Sequence, residues 1–218
     1  MNILLMGLPG AGKGTQSELI SRDYSMIHIA TGDIFREAIK NETELGLQAK
    51  EYTDAGNLVP DVLTNNLVKE RLSQPDVLEN GFMLDGYPRT EQQAEALENN
   101  LEELGQELGA VIYIDVDSKI LEDRLSGRII CRNCGATYHK IYNPPTTEGV
   151  CDACGESEFY QREDDKPEKV RHRIQLQKDA IHPILEYYDS CGILHRINGD
   201  NPIEKVYREI RDILGEGQ

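Results

Sequence analysis

The stretch Gly7-Leu8-Pro9-Gly10-Ala11-Gly12-Lys13-Gly14-Thr15 decides the fold of this chain. It follows the apolar run 2–6, which predicts a buried strand, and it opens a helical pattern over 13–22. Glycines let successive backbone N–H groups point at one anion, and the helix N-terminus adds its dipole. Lys13 would bring a charge to a phosphate, and Thr15 would hold Mg²⁺ directly or through water. Because Gly14 interrupts the strict GxxxxGK[ST] pattern, a glycine turn without a ligand is the alternative.

Strand and helix patterns alternate along the rest of the chain. Apolar runs predict further strands at 26–29, 82–85, 111–116 and 193–197. Helical periodicity and capping signals predict helices at 31–40, 47–56, 61–72, 91–104, 118–126 and 202–214. Strands separated by helices are typical of βαβ units, so we predict an α/β fold with a parallel five-stranded sheet. The segment from 129 to 165 is rich in Cys, Gly, Pro, Thr and Tyr, which predicts a small inserted domain of turns and short strands.

The composition is that of a globular chain with a strong negative charge. Of 218 residues, 23 are basic and 39 acidic, which gives a net charge of −16. A general nucleic-acid-binding surface needs positive potential, so the net charge argues against that class. A small anionic substrate would need a pocket that concentrates arginines. The longest apolar runs are far short of a membrane span, and the N-terminus lacks the pattern of a secretory signal.

Four of the five cysteines form two pairs, Cys131-x2-Cys134 and Cys151-x2-Cys154, with sixteen residues between them. This spacing lies inside the window typical of zinc sites. Four protein ligands leave no open position, so the predicted site is structural rather than catalytic. A redox dithiol is the weaker alternative, and another thiophilic metal stays open. Cys191 is expected to be a buried or half-buried thiol.

Acidic residues near the loop and near the cysteines are candidate site residues. Asp85 ends the third predicted strand, where it could organise Mg²⁺. A turn or capping aspartate is the alternative, because glycine and proline follow it closely. Asp164 and Asp165 come shortly after Arg162, and two interpretations stay equally open: a phosphate and metal site, or a solvated hinge.

The arginines differ in whether an acid stands three or four residues away on the same helix, where side chains meet. Arg124 and Arg173 have no such partner. Arg128 stands four residues after Arg124, so we expect both on one helix face with an anion between them. Arg171 has Glu168 within reach and is expected to form a surface pair. Unpaired arginines in an acidic chain favour clamps on an anionic substrate.

Several motifs together resemble the adenylate kinase family, most closely its bacterial type with a long, zinc-bearing lid. They are the loop 7–15, Thr31-Gly32-Asp33 with Arg36, Asp85-Gly86-Tyr87-Pro88-Arg89 with Gln93, and the paired cysteines. The resemblance covers essentially the whole chain. It implies a P-loop NTPase core (1–29, 60–126 and 165–218), a helical insert that binds a nucleoside monophosphate (30–59) and a small zinc-bearing lid (127–164). It also implies the reaction ATP + AMP ⇌ 2 ADP with Mg²⁺, in a cytoplasmic and usually monomeric enzyme whose partners are nucleotides, not nucleic acid or membrane.

The resemblance also implies roles for individual residues. The catalytic set is Lys13, Asp85, Arg89, Arg124, Arg162 and Arg173. The ATP site is Gly10, Ala11, Gly12, Lys13, Gly14, Thr15, Arg128, Thr137, Tyr138 and Asn201. The AMP site is Thr31, Arg36, Asn57, Leu58, Val59, Gly86, Tyr87, Pro88, Arg89, Gln93, Arg162 and Arg173, with Gln93 at the adenine edge. Structural Zn²⁺ would bind Cys131, Cys134, Cys151 and Cys154.

Other functions stay open at this point. A kinase for UMP/CMP or GMP would use the same loop and arginines, although the lid favours the adenylate kinases. A P-loop switch would need a guanine-reading N-K-x-D motif, which the sequence lacks. A zinc-ribbon nucleic-acid module is opposed by the net charge of −16.

Overall fold

The computed structural model describes residues 1–55 and 57–215. The strands are β1 (Asn2–Met6), β2 (Ile27–Ala30), β3 (Phe82–Asp85), β4 (Ala110–Asp115), β5 (Arg128–Cys131), β6 (Thr137–His139), β7 (Phe159–Tyr160) and β8 (Leu194–Asn198). Within these residues, five parallel strands form the main sheet in the order β2-β3-β1-β4-β8. All five were predicted, each within one residue at either end. The α/β fold with a parallel five-stranded sheet is therefore confirmed.

The helices surround this sheet and connect its strands. They are α1 (Lys13–Tyr24), α2 (Thr31–Lys40), α3 (Glu44–Ala55), α4 (Asp61–Leu72), α5 (Pro75–Asn80), α6 (Glu91–Leu104), α7 (Ser118–Ser126), α8 (Pro167–Ser190) and α9 (Ile203–Leu214). The predicted helix 47–56 begins three residues earlier, and its predicted last residue, Gly56, lies outside the described residues, as do 216–218. None of the helices in 1–55 and 57–215 is long and apolar enough to cross a bilayer.

Two apolar layers cover the two faces of the sheet. Side chains alternate along a strand, so Ile3 and Leu5 of β1 point to one face and Leu4 to the other. Helices α1, α7 and α9 pack on the first face, and α4, α6 and the second half of α8 pack on the other. Every residue of β1 is buried. A parallel sheet covered in this way holds the carboxyl end of β1, and therefore the glycine-rich loop, in a fixed place.

Helices α5 and α8 were not predicted, and α8 is much the longer of the two. It is 24 residues long and contains Pro183. Val170 and Ile174 in its first half pack in one layer, whereas Ile184 and Leu185 pack in the other. The next residue after the helix is Cys191, which is exposed, so the expectation of a buried or half-buried thiol there is wrong.

The insert 30–59 has its own small apolar cluster. Phe35, Ala49 and Val59 are its buried members. Helices α2 and α3 approach closely at Gly46, where a Cβ atom would lie 2.1 Å from the carbonyl oxygen of Ala38. Only glycine allows that approach without moving the backbone.

The segment 127–164 contains the predicted short strands. Strands β5, β6 and β7 form an antiparallel sheet in the order β6-β5-β7. Cys131, Tyr138 and Cys151 are buried at its centre. Arg128 begins β5, two residues beyond the end of α7. The expectation that Arg124 and Arg128 share a helix face is therefore wrong, because the helix ends between them.

Candidate functional site

The glycine-rich loop and Lys13 lie where β1 meets β3. The register pairs Leu5 of β1 with Asp85 of β3, so the two carboxyl ends are neighbours. Gly12 precedes α1 with a φ of 98° and gives no side-chain cap, which leaves the first N–H groups of the helix free for an anion. Lys13 Nζ donates to the carbonyl oxygen of Gly7 at 2.9 Å and lies 4.0 Å from Asp85 Oδ1. The loop thus has the form that a phosphate requires.

Lys13 and Asp85 are largely buried charges of opposite sign, each with a side chain 15% exposed. Burial lowers the pKa of Lys13 to about 8; Asp85 acts against this, and Arg89 adds to it. Burial raises the pKa of Asp85, but His28, 3.7 Å away, and Lys13 outweigh that effect and hold it below its usual value. Asp85 therefore stays a carboxylate, the kind of ligand that Mg²⁺ prefers.

Arginines from distant parts of the chain converge beside this loop. Burial and neighbouring guanidinium groups lower the pKa of Arg89 to about 10 and that of Arg162 to about 9. Arg36 and Arg128 are among those neighbours. Arg162 Nε is buried and has no hydrogen-bond partner in the described part of the chain. Because arginine keeps its proton in proteins, such a cluster favours an anion among its side chains.

Two acids hold part of this cluster in place. Asp165 is fully buried and accepts hydrogen bonds from Arg128 at 2.8 and 2.5 Å. Arg173 Nη1 lies 2.8 Å from Asp164 and 3.4 Å from Asp165. Arg173 thus has acidic partners, outside the i±3 and i±4 positions that the sequence argument considered. Asp165 is buried and the side chain of Asp164 is only 18% exposed, so their contacts with the arginines exclude the solvated-hinge interpretation of the two acids.

The other arginines are placed as follows. Arg124 Nη2 donates to the carbonyl oxygen of Gly199 at 3.0 Å, with no acid at its own helix positions, as predicted. Arg171 forms the predicted kind of surface pair, but with Glu122 at 3.1 Å rather than with Glu168. Its side chain is 73% exposed, against 12% for that of Arg173. The exposed fractions of their side chains therefore distinguish Arg171 from Arg173, as the sequence argument did.

A small cavity lies between the insert, the loop that follows β3 and helix α8. Of the residues expected at the AMP site, it is lined by Thr31, Arg36, Asn57, Leu58, Val59, Gly86, Arg89, Gln93 and Arg173. Its free volume is about 60 Å³. Pockets for small-molecule ligands hold roughly 300–1,000 Å³. A nucleotide would therefore need the walls of this cavity to move apart.

Asp61 is a site residue that the sequence argument missed. Gln93 is 2% exposed; its Oε1 accepts the backbone N–H of Arg89 at 2.8 Å, and its Nε2 donates to Asp61 Oδ1 at 2.7 Å. The other Asp61 oxygen accepts from Thr90 Oγ1 at 2.9 Å, and Thr90 caps α6 through the N–H of Gln93. These contacts fix the orientation of the Gln93 amide, with its oxygen toward the Arg89 N–H and its nitrogen toward Asp61. The capping pattern Thr90-x-x-Gln93 marks the start of α6 in the sequence, but it gives no signal for Asp61.

The four paired cysteines converge in the lid. Their Sγ atoms all lie within 4.8 Å of one another, and neighbouring sulfurs are 3.5 and 3.6 Å apart. Tetrahedral zinc–thiolate bonds of about 2.3 Å place sulfurs close to these separations. The donor set therefore fits a closed, structural zinc site, and all four thiols are free of disulfide bonds.

Comparison with known proteins identifies the family. The adenylate kinase family model matches residues 5–193. Adenylate kinases from Limosilactobacillus reuteri and Enterococcus faecalis are 56% and 55% identical to the chain. The first match covers 98% of the chain and 98% of the Limosilactobacillus protein. The second covers 99% of the chain and 100% of the Enterococcus protein. One from a Geobacillus species is 57% identical over 99% of both chains.

The chain belongs to the adenylate kinase family. It is therefore a phosphotransferase, as predicted, and the switch and nucleic-acid alternatives are set aside.

Some residues expected at the nucleotide sites of this adenylate kinase lie outside the cavity and the arginine cluster. Tyr87 is buried, and its hydroxyl donates to Asn65 at 2.9 Å. The Tyr138 side chain points into the cysteine cluster, whereas Thr137 is exposed on β6. Asn201 precedes α9, and its side chain accepts from Lys205 at 3.2 Å.

Proposed function

We propose that the enzyme transfers a phosphoryl group reversibly from Mg-ATP to AMP and yields two ADP. The observation that carries this proposal is the buried group of cations between the glycine-rich loop and the cavity of the insert. Lys13 lies on the loop side, Arg89 lines the cavity, and the Nε of Arg162 has no hydrogen-bond partner among the described residues. Such a group matches the charge of phosphates that meet from two sides.

Positioning and charge are sufficient for this chemistry. The acceptor oxygen, phosphorus and leaving oxygen must lie in line, and no covalent intermediate with the protein is needed. Lys13 and the arginines Arg89, Arg124, Arg162 and Arg173 would stabilise the negative charge of the transition state. Asp85 and Thr15 would hold Mg²⁺, directly or through water, and the bound ion would neutralise phosphate charge.

The two nucleotides would occupy opposite sides of this group. ATP would lie against the loop 10–15, Arg128, Thr137, the backbone of Tyr138 and the segment at Asn201. AMP would fill the cavity, with the adenine base at Gln93. Because Asp61 and the Arg89 N–H orient the Gln93 amide, its remaining donor and acceptor have a fixed order, which supports reading of one base.

Movement of the domains that the resemblance implies would open the cavity, whose volume is about 60 Å³, to a nucleotide. The insert 30–59 and the lid 127–164 would move as units against the core formed by 1–29, 60–126 and 165–218. The apolar cluster of Cys131, Tyr138 and Cys151, which lies wholly within 127–164, supports the lid as a unit, whereas the cluster of the insert also contacts Leu63 and Leu67 of α4. Closure would exclude water, which competes with AMP as acceptor.

Zinc would have a structural role in the lid and no role in the chemical step. Cys131, Cys134, Cys151 and Cys154 would hold it and so join the two ends of a segment that has a small apolar core. The proposal also includes a cytoplasmic, monomeric enzyme whose partners are ATP, AMP and ADP. Light scattering after gel filtration would test the monomer.

The first experiment is phosphorus NMR of the purified, zinc-loaded chain with Mg-ATP and, separately, AMP, UMP, CMP and GMP. We expect ADP to form with AMP and not with the other acceptors at comparable rates. Preference for UMP or GMP would keep the reaction type but overturn the assignment of Gln93 as the adenine-reading residue. No turnover with any acceptor would overturn the proposed reaction.

Two arginines on α8 provide a matched test of the site. Arg173→Ala removes a buried cation of the cluster, so we expect kcat/KM to fall by about 100-fold or more, the usual effect of losing one transition-state donor. Arg171→Ala removes an exposed arginine two residues away that pairs only with Glu122 in the described chain, and turnover should stay within about twofold. Equal effects of the two substitutions would contradict the assigned role of Arg173.

A further inference from the structure

The hydroxyl of Tyr138 lies against the four-cysteine cluster of the lid. Tyr138 is 8% exposed, and its Oη is 3.3 Å from Sγ of Cys151. The same oxygen accepts a hydrogen bond from the backbone N–H of Asp152 at 2.8 Å. The Tyr138 ring packs edge-on against Phe159, with centroids 5.7 Å apart. One phenol therefore joins a candidate zinc ligand to the turn that carries it.

The direction of the contact to Cys151 follows from the protons available. A phenol has one O–H donor and can accept through its lone pairs. The Asp152 N–H already uses an acceptor position of the oxygen. A cysteine that binds a metal is a thiolate and has no proton to give. The Tyr138 O–H must therefore be the donor and the Cys151 sulfur the acceptor.

This hydrogen bond would stabilise the excess negative charge of the zinc site. Four thiolates outweigh the two positive charges of a zinc ion, and the chain already carries a net charge of −16. Cys151 is 1% exposed, so water cannot solvate its sulfur. The excess charge must then be stabilised by donors of the protein, since a buried charge without them is costly.

We propose that Tyr138 is a positioning residue of the zinc site, whose O–H donates to the Cys151 thiolate and so ties the metal to strand β6. The inference rests on the zinc site proposed above and adds a residue outside its four ligands. Strand β6 pairs with β5, where Ile129 lies opposite Tyr138 and Arg128 lies opposite His139. Metal and tyrosine together therefore hold the strand pair that carries Arg128 to the phosphate site.

Tyr138→Phe tests the hydrogen bond, because it removes one oxygen atom and keeps the ring. In the full chain, we expect zinc affinity to fall by about 10–100-fold, the usual effect of losing an outer partner of a metal ligand. Competition with a chromophoric chelator measures this without any assay of turnover. Tyr142→Phe is the matched control, since it removes a hydroxyl from the same lid at a residue that is 59% exposed. Its affinity should equal that of the unchanged chain.

The outcomes separate the inference from the site on which it rests. An unchanged chain that binds no zinc would overturn the metal site and the inference together. An unchanged chain that binds zinc, with a folded Tyr138→Phe variant of equal affinity, would overturn the inference alone. A similar loss in Tyr142→Phe would also overturn it, because the loss would then not belong to the Tyr138 hydroxyl.

NMR of the unchanged chain loaded with a spin-active cadmium isotope keeps the inference testable if the variant fails to fold. A thiolate site accepts this soft ion in place of zinc. We expect a slowly exchanging hydroxyl proton of Tyr138 with scalar coupling to the metal through the Cys151 sulfur. A Tyr138 hydroxyl proton without that coupling, or one in fast exchange with water, would overturn the inference.

Discussion

Lys13 is a cation in surroundings that favour its neutral form. Burial lowers its pKa to about 8, and Arg89 lowers it further against the opposing effect of Asp85. Below that pH the free enzyme holds a charged Lys13 for the phosphates of ATP; as the pH rises through about 8, the charge is lost. We therefore expect kcat/KM for Mg-ATP to be level near pH 7 and to fall by up to about tenfold per pH unit above 8, since this parameter reports the free enzyme.

The control for this profile is Lys13→Arg, whose guanidinium stays charged over the same range. Whatever its absolute activity, its kcat/KM should lose the break near pH 8. A break that persists in Lys13→Arg would assign the titration to another group. A level profile to about pH 9.5 in the unchanged chain would contradict the lowered pKa.

Contacts of individual residues were predictable from the sequence only where they are local. It separated Arg173, whose side chain is largely buried, from the exposed Arg171, because pairing at i±3 and i±4 depends only on local spacing. It could not find Asp164 as the partner of Arg173, since that contact crosses the turn that precedes α8. Nor could it find Asp61, whose two contacts reach 29 and 32 residues along the chain.

At the scale of elements, the strands were predictable and α8 was not. The main-sheet strands are short apolar runs bounded by turns, and this signal is local. Helix α8 instead changes its buried face along its length, with Val170 in one layer and Leu185 in the other, and Pro183 interrupts its pattern. A single apolar stripe, which is what periodicity detects, does not run through such a helix.

The packing of α2 on α3 gives a prediction at this scale. A Cβ atom at position 46 would lie 2.1 Å from the Ala38 carbonyl oxygen, so Gly46→Ala must push the two helices apart. We expect the free energy of unfolding to fall by roughly 1–3 kcal/mol, as overpacking usually costs, although alanine is the better helix former. Urea unfolding measures this. Glu51→Ala, exposed on the same helix, should change stability by less than about 0.5 kcal/mol. Equal stability of the two variants would show that the insert absorbs the added methyl group freely.

At the scale of the whole molecule, charge is divided unevenly. The net charge is −16, yet Lys13 and the arginines of the phosphate site collect cations in one buried region. The rest of the surface is therefore more acidic than the net value suggests, and like charges there repel one another in the folded state. The sequence predicted only part of this uneven charge distribution. The net charge follows directly from the composition, but the cation cluster forms from residues up to 160 positions apart, which local patterns do not connect.

This repulsion should be visible in thermal unfolding of the zinc-loaded chain. Raising KCl from about 0.01 M to about 0.1 M shortens the screening length from roughly 30 to 10 Å. We expect Tm to rise by roughly 2–4 °C, the shift that about 1 kcal/mol produces in a chain of this size. Chloride is preferred to sulfate, which would bind the cation cluster itself. The exposed acids Glu51, Glu148 and Glu156 offer a control: changing all three to glutamine should reduce the response to salt. A Tm that falls with salt would mean that surface ion pairs, such as Lys50 with Asp54, outweigh the repulsion.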